Sequence, residues 1–390
     1  MRRCLLMFLA VLVLPTSVFG QSILGSSGLG VRLEPLDAIQ RGLGGVGAAI
    51  QSTTVLPGDP TASLDLLAPT ITFTAQPTLG DYTVDSDEGH FSGTRFPVLG
   101  FAFPLGTTSV LTLTMGSHFD QRWSAIVQDS IELGGDRIGI TDEFSSDGGI
   151  STIRAGWAKR LSPTFAVGTS TGMYMGGLTR SFDRTFSQDS LSVRSPISSF
   201  SDVGQWAHSG PVASLNVSWD PSPVVQVAGT IDWSGTIAVE PSGEIERQAL
   251  NVDAPLEFKV AVTTVLSPAF MVTAGLATAN WSDLGEPQID SVGVGRATTL
   301  GAGLEWNIGN FWAGRFPLRL GYRSASLPFL FRGKKVTEKT VSFGFSITMA
   351  QVEGLPLAGM DMAAEFGGRS AGNFAESLRR FTISVRIGGR

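Results

Sequence analysis

Several stretches of this chain alternate apolar and polar residues one by one, a period of two that fits a β-strand with one apolar and one polar face. The clearest runs Val225, Val227, Gly229, Ile231 and Trp233, interleaved with Gln226, Ala228, Thr230 and Asp232. The pattern returns in Phe381, Ile383, Val385 and Ile387 against Arg380, Thr382, Ser384 and Arg386. It returns again in Phe343, Phe345, Ile347 and Met349 against Ser342, Gly344, Ser346 and Thr348. A soluble sheet could carry one such strand, but two arginines turned into its core would be costly. An apolar face toward lipid and a polar face toward a watered lumen resolve the conflict, so the fold expected is a transmembrane antiparallel β-barrel.

Period-two runs between turn residues give about 14 strands. They fall near 69–78, 94–104, 108–118, 149–160, 164–175, 204–219, 223–235, 255–266, 269–281, 295–307, 316–325, 338–350, 358–367 and 379–388. Short connections at 104–107, 162–163, 220–223 and 267–268 alternate with long polar ones at 119–148, 176–203 and 236–254. Outer-membrane barrels keep short turns in the periplasm and long loops outside, and an even strand count brings both ends of the barrel back to the periplasm. Trp157, Trp219, Trp233, Trp281 and Trp306 lie near strand ends, which suits an aromatic belt at headgroup level. Ordinary sheet aromatics are the alternative.

Arg2 and Arg3 precede the apolar run Cys4 to Leu14, and Val18-Phe19-Gly20 offers a cleavage site before Gln21. Residues 1–20 therefore read as a signal peptide, the apolar run being shorter than the ~20 residues of a membrane-spanning helix. Cys4 is the single cysteine, so the mature chain is expected to hold no disulfide or thiolate site. Lys and Arg number 28 against 34 Asp and Glu, which argues against nucleic acid as a partner. Charged residues make up 16% of the chain and glycines number 48, a balance that suits a lipid-facing barrel with tight turns. After residue 68 no linker divides the chain, so residues 68–390 are expected to form one barrel. Residues 21–67 are small, glycine-rich and without a period. They suggest a plug inside the lumen, with a periplasmic arm as the alternative.

Within that segment the order is a Gly-rich stretch, Arg41, the run Gly42-Leu43-Gly44-Gly45-Val46-Gly47-Ala48-Ala49, and then Gly58-Asp59-Pro60-Thr61-Ala62-Ser63-Leu64 just before the first strand. Farther on come Asn280-Trp281-Ser282-Asp283-Leu284 and Leu327-Pro328-Phe329 with Glu338. In order and spacing this resembles the FadL-like long-chain fatty-acid transporter family of outer-membrane proteins, with its hydrocarbon-uptake and PorV-like relatives. Asp59 stands where the family pattern has Asn. The resemblance implies a 14-stranded barrel with an N-terminal hatch (Arg41, Gly42, Gly44, Gly45, Gly47, Asp59, Pro60). It also implies a lateral opening at a kink in the third strand, for which Gly116 and Ser117 are the candidates. A third strand that simply ends at its loop is the plain alternative.

Along the face expected to line the lumen lie Arg154, Asp232, Glu257, Lys259, Glu305, Arg319, Arg323, Asp361, Glu365, Arg380 and Arg386. Mixed signs favour a paired network, because buried charge persists when compensated; an open ion pore is the alternative. The histidines His90, His118 and His208 sit near Ser92, Ser117 and Ser209. No Gly-x-Ser-x-Gly or His-Glu-x-x-His accompanies them, so no enzyme is expected. The acidic set Asp120, Asp129, Glu132, Asp136, Asp142, Glu143 and Asp147 matches no calcium loop and reads as a solvated loop, with cations bridging to lipopolysaccharide as the alternative. No cofactor or metal is expected. The function implied is uptake of hydrophobic small molecules, fatty acids or hydrocarbons, across a bacterial outer membrane, by a single copy in contact with lipid and lipopolysaccharide. Two alternatives are a barrel that docks secreted or envelope proteins and a hydrolase active at the outer rim.

Overall fold

The computed structural model describes residues 22–26, 29–50, 53–133, 136–187, 198–243, 249–281, 295–311, 314–352 and 355–389. The signal peptide expected at 1–20 and most of the 280–284 motif lie outside them. Fourteen strands form the wall: β1 (Thr70–Val84), β2 (Asp87–Leu105), β3 (Ser109–Asp120), β4 (Asp136–Ser162), β5 (Phe165–Phe186), β6 (Phe200–Ser222) and β7 (Val225–Ser234), then β8 (Glu257–Ser267), β9 (Phe270–Asn280), β10 (Arg296–Phe311), β11 (Gly314–Phe331), β12 (Lys334–Val352), β13 (Leu355–Ala371) and β14 (Phe374–Gly388). Each pairs antiparallel with the next. β14 pairs back onto β1, with Ser384 opposite Thr74, and closes the barrel. Closure leaves no open edge, which is what a sheet crossing lipid requires, since no water is there to satisfy a bare backbone.

All fourteen strands expected from the sequence are present in order, and most are longer than their apolar alternation. At one end the connections are short, as between Leu105 and Ser109 or Ser162 and Phe165. At the other the strands run on as hairpins. The stretch 119–148, expected as a loop, instead contains the strand Trp123–Leu133 laddered to the start of β4. The stretch 236–254 contains Thr236–Pro241 and Leu250–Asp253, paired with each other, and the first also pairs with β6. Beyond the membrane both faces of a strand meet water, so the ladder still satisfies the backbone while the two-residue period disappears from the sequence.

The faces divide as the alternation requires. Ile231, Trp233, Phe343, Phe381 and Ile387 are exposed on the outside, while Thr230, Asp232, Ser342, Arg380 and Thr382 are buried inside. An apolar outer band on a closed antiparallel barrel places the chain in a bacterial outer membrane. Trp157, Trp219, Trp233 and Trp306 are on the outer surface, and Trp306 stacks on Phe270 at 5.8 Å. Trp281 departs from the expected belt. It is 6% exposed, on the inward side of the β9 end, edge-on to Phe119 at 6.0 Å with the Arg32 guanidinium over its ring.

Candidate functional site

The residues before β1 lie against inward-facing side chains of the wall. Ser22 Oγ donates to the buried Glu376 carboxylate at the hairpin end. Asp65 pairs with Arg160 (2.6 Å) near the short turns, so the segment runs the length of the barrel. Midway, helix α1 (Ala38–Gly42) is capped by Asp37, whose Oδ1 accepts from the Gln40 N–H at 2.8 Å; this is ordinary N-cap chemistry. Burial pushes the Asp37 carboxyl up to about 6.

The glycines of this segment meet glycines of the wall. Gly44 has φ +63°, and a Cβ placed on Gly301 of β10 would stand 1.7 Å from the Gly44 carbonyl oxygen. A Cβ on Gly303 would meet the Leu43 carbonyl at 2.4 Å, and one on Gly321 of β11 the Gly44 nitrogen at 2.5 Å. Gly42 lies against Gly344 and Arg319, a Cβ on Gly45 would strike the Gln40 side chain, and Gly47 has φ +84°. Backbone therefore packs on backbone, which only glycine permits. Asp59 has its own role: Oδ1 accepts from the Thr61 N–H (3.1 Å), Oδ2 from the Ala49 N–H (2.9 Å), and Pro60 opens the turn Pro60–Ser63. Pro60 in turn covers Gly156 and Gly168 of the wall.

All eleven candidate lumen charges face inward, and they gather in three groups. Asp232 accepts from Arg154 (2.7 Å) and Lys259 (2.6 Å), Lys259 reaches Glu257 (3.2 Å), and Glu257 holds Arg32 (2.5 Å). Arg319 pairs with Glu305 (2.8 Å) and donates to Ser346, which donates to Asp361; Arg386 pairs with the same Asp361 (2.9 Å) and donates to the Thr53 carbonyl. In the third group Glu365 lies 3.6 Å from Arg41 and 3.7 Å from Arg380, and Arg323 holds Glu34 and the Gly45 carbonyl. Sequence reasoning missed Glu34, Arg32, Arg95, Arg369 and Glu376. Arg369 bridges Glu338 (2.7 Å) and Glu376 (2.9 Å). Both Arg369 and Glu376 lie above the apolar band, where the alternation gave no sign of a strand.

Above these charges the lumen is apolar: Leu24, Phe119, Ile150, Tyr174, Val212, Trp281, Phe329 and Phe374 pack in one buried cluster beneath the hairpins. Toward the short turns opens a cavity of 1030 Å³ whose lining includes Ile39, Ile50, Phe270 and Met271 together with Arg319 and Arg386.

The candidate opening lies where the wall changes partners. The β2–β3 ladder stops at Val98 opposite Gly116. β3 bulges against β4 between Ser117 and Phe119. Its last residues, Phe119 and Asp120, then pair with Arg32 and Val31 of the N-terminal segment. Side chains bridge the seam above: Ser117 Oγ donates to the Phe96 carbonyl (3.0 Å), and Asp120 accepts from Arg95 (2.6 Å) and Arg122 (2.9 Å). Gly116 is small for a second reason, since a Cβ there would press on Pro35 and Pro57.

Of the acidic set, Asp120 is thus turned to the wall and Asp142 is paired with Arg184. The histidines do not converge with their neighbouring serines. His90 pairs with Asp81 on the surface, His118 is wedged between Phe119 and Tyr174 (5.4 Å each), and Ser117 is engaged by Phe96.

These features define a transmembrane β-barrel whose N-terminal segment meets its inner wall. No protein-family model matches the sequence, and no curated protein matches it. Among solved structures it is similar to the toluene transporter TbuX of Ralstonia pickettii (13% identity, TM-score 0.59, 92% of this chain and 99% of that one). It is similar also to a FadL homologue of Pseudomonas aeruginosa (10%, 0.60, 92% and 99%) and to the toluene transporter TodX of P. putida (13%, 0.58, 92% and 99%). The chain has the fold of the FadL-like hydrocarbon channels.

Proposed function

We propose that the protein is an outer-membrane channel for uptake of hydrophobic small molecules, monoaromatic hydrocarbons or long-chain fatty acids. The observation that carries this reading is Phe119: it sits on the part of β3 that has left β2, and it belongs to the buried apolar cluster. An apolar solute stopped by polar headgroup sugars needs an apolar site within the wall and a way out of it, and the two are contiguous here. Residues 22–66 act as the hatch, seated by Gly301, Gly303 and Gly321 and pinned by the Glu34–Arg323 and Arg41–Glu365 pairs. The seam above Gly116 is the lateral opening. The protein has no catalytic role in this reading, and the structural neighbours TbuX and TodX are toluene transporters.

The seam supplies the test. A Phe96→Cys, Ser117→Cys chain joins two residues already in contact, and no cysteine occurs after Cys4. Oxidation should abolish uptake of labelled toluene or oleate by cells, and a reductant should restore it. Full uptake through a completely cross-linked barrel would overturn the lateral route.

A further inference from the structure

The alternation that buries Val336, Glu338, Thr340 and Ser342 inside β12 puts Lys335 and Lys339 outside, in line with Val341 and Phe343. Lys334 stands at the same hairpin end. None of the three forms an ion pair among the described residues; Lys335 donates only to the Arg296 carbonyl, at 3.1 Å. Two strands on, Arg379 of β14 extends the charge along the rim, half exposed and 2.9 Å from Asp81. Between them Gly368 stands opposite both Lys339 and Ser377, so β13 carries no side chain at that level of the outer face. Below the cations the surface is apolar, with Val341, Phe343, Phe366 and Phe381 exposed. The hairpin Trp123–Leu133 and early β4 carry exposed Asp129, Glu132, Glu143 and Asp147 instead.

We propose that this face of β12 to β14 is a binding site for a phosphorylated glycolipid of the outer leaflet. The proposal rests on the outer-membrane placement argued above. Ammonium groups are point-charge donors suited to phosphate oxygens, and lysines at a membrane boundary lay their stems on apolar surface while the charge reaches headgroup level. Lys335 and Lys339 take the phosphates, with Lys334 and Arg379 flanking. The acyl chains lie on Phe343, Phe366 and Phe381. Each cation near an anionic lipid surface adds attraction that falls with salt, so the site is strongest at low ionic strength.

The test uses the purified full chain in detergent and native mass spectrometry with a bis-phosphorylated acylated glucosamine disaccharide and its dephosphorylated form. The triple variant Lys334→Gln, Lys335→Gln, Lys339→Gln should lose occupancy roughly tenfold or more, with heat-modifiable gel mobility reporting that it still folds. Arg137→Gln, at the acidic side of the rim, should bind as wild type. Equal occupancy in wild type and triple variant, equal binding of the dephosphorylated lipid, or complete displacement by millimolar inorganic phosphate would each overturn the proposal. Uptake by the triple variant should match wild type, so failure here leaves the transport reading standing, and failure of the cross-linking test leaves this one standing.

Discussion

Gly301 has no room for a side chain, because the Gly44 carbonyl lies where its Cβ would be. Gly301→Val should therefore unseat the N-terminal segment without breaking the ladder, since valine is at home in a strand. The expected result is a barrel of normal heat-modifiable mobility with raised single-channel conductance in planar bilayers; unchanged conductance would remove the hatch from the reading. At this scale the sequence was legible where a charge shared the inward parity of an apolar-out strand, as with Asp232, Arg380 and Arg386. It was silent on Arg369 and Glu376, which lie where the outer face is no longer apolar, and on Arg95, whose parity is shifted by the bulge opposite Thr74–Gln76. It was misleading at Trp281, whose place near a strand end suited a belt, whereas its contacts with Phe119 and Arg32 hold it inside.

The strands were legible because lipid on one side and water on the other impose a period of two. Their upper limits were not, because hairpins standing in water need no such period. That is why Trp123–Leu133, Thr236–Pro241 and Leu250–Asp253 were hidden in stretches expected as loops. The change of partner at β3 was half visible: Gly116-Ser117 marked the place, but nothing in the sequence says that Val31 and Arg32 take over the pairing. The two kinds of connection set the orientation. An epitope inserted at Gly243, in the hairpin between β7 and β8, should be labelled on intact cells, and one after Ser222, at the short turn that follows β6, should not. Labelling at Ser222 with none at Gly243 would invert the barrel.

For the whole molecule, the fold was the most legible property, because closure, strand number and lumen charge all follow from one pattern repeated fourteen times. What the chain carries was less so. The apolar cluster draws one or two side chains from each of many separate elements, and no stretch of sequence announces it. The β1–β14 closure has a consequence in time. Thr74 and Ser384 share a hydrogen bond across 310 positions, and contacts that distant are the slowest to form because the intervening chain must first be brought together. Residues 22–66 come shortly before β1 in the chain, so the hatch proposed above requires them to lie inside when this seam zips. Protection of that segment from added protease during assembly should then appear no later than β1–β14 pairing. Protection arriving after closure would require the segment to thread a finished pore, whereas the proposed hatch makes enclosure a single event in the life of each molecule.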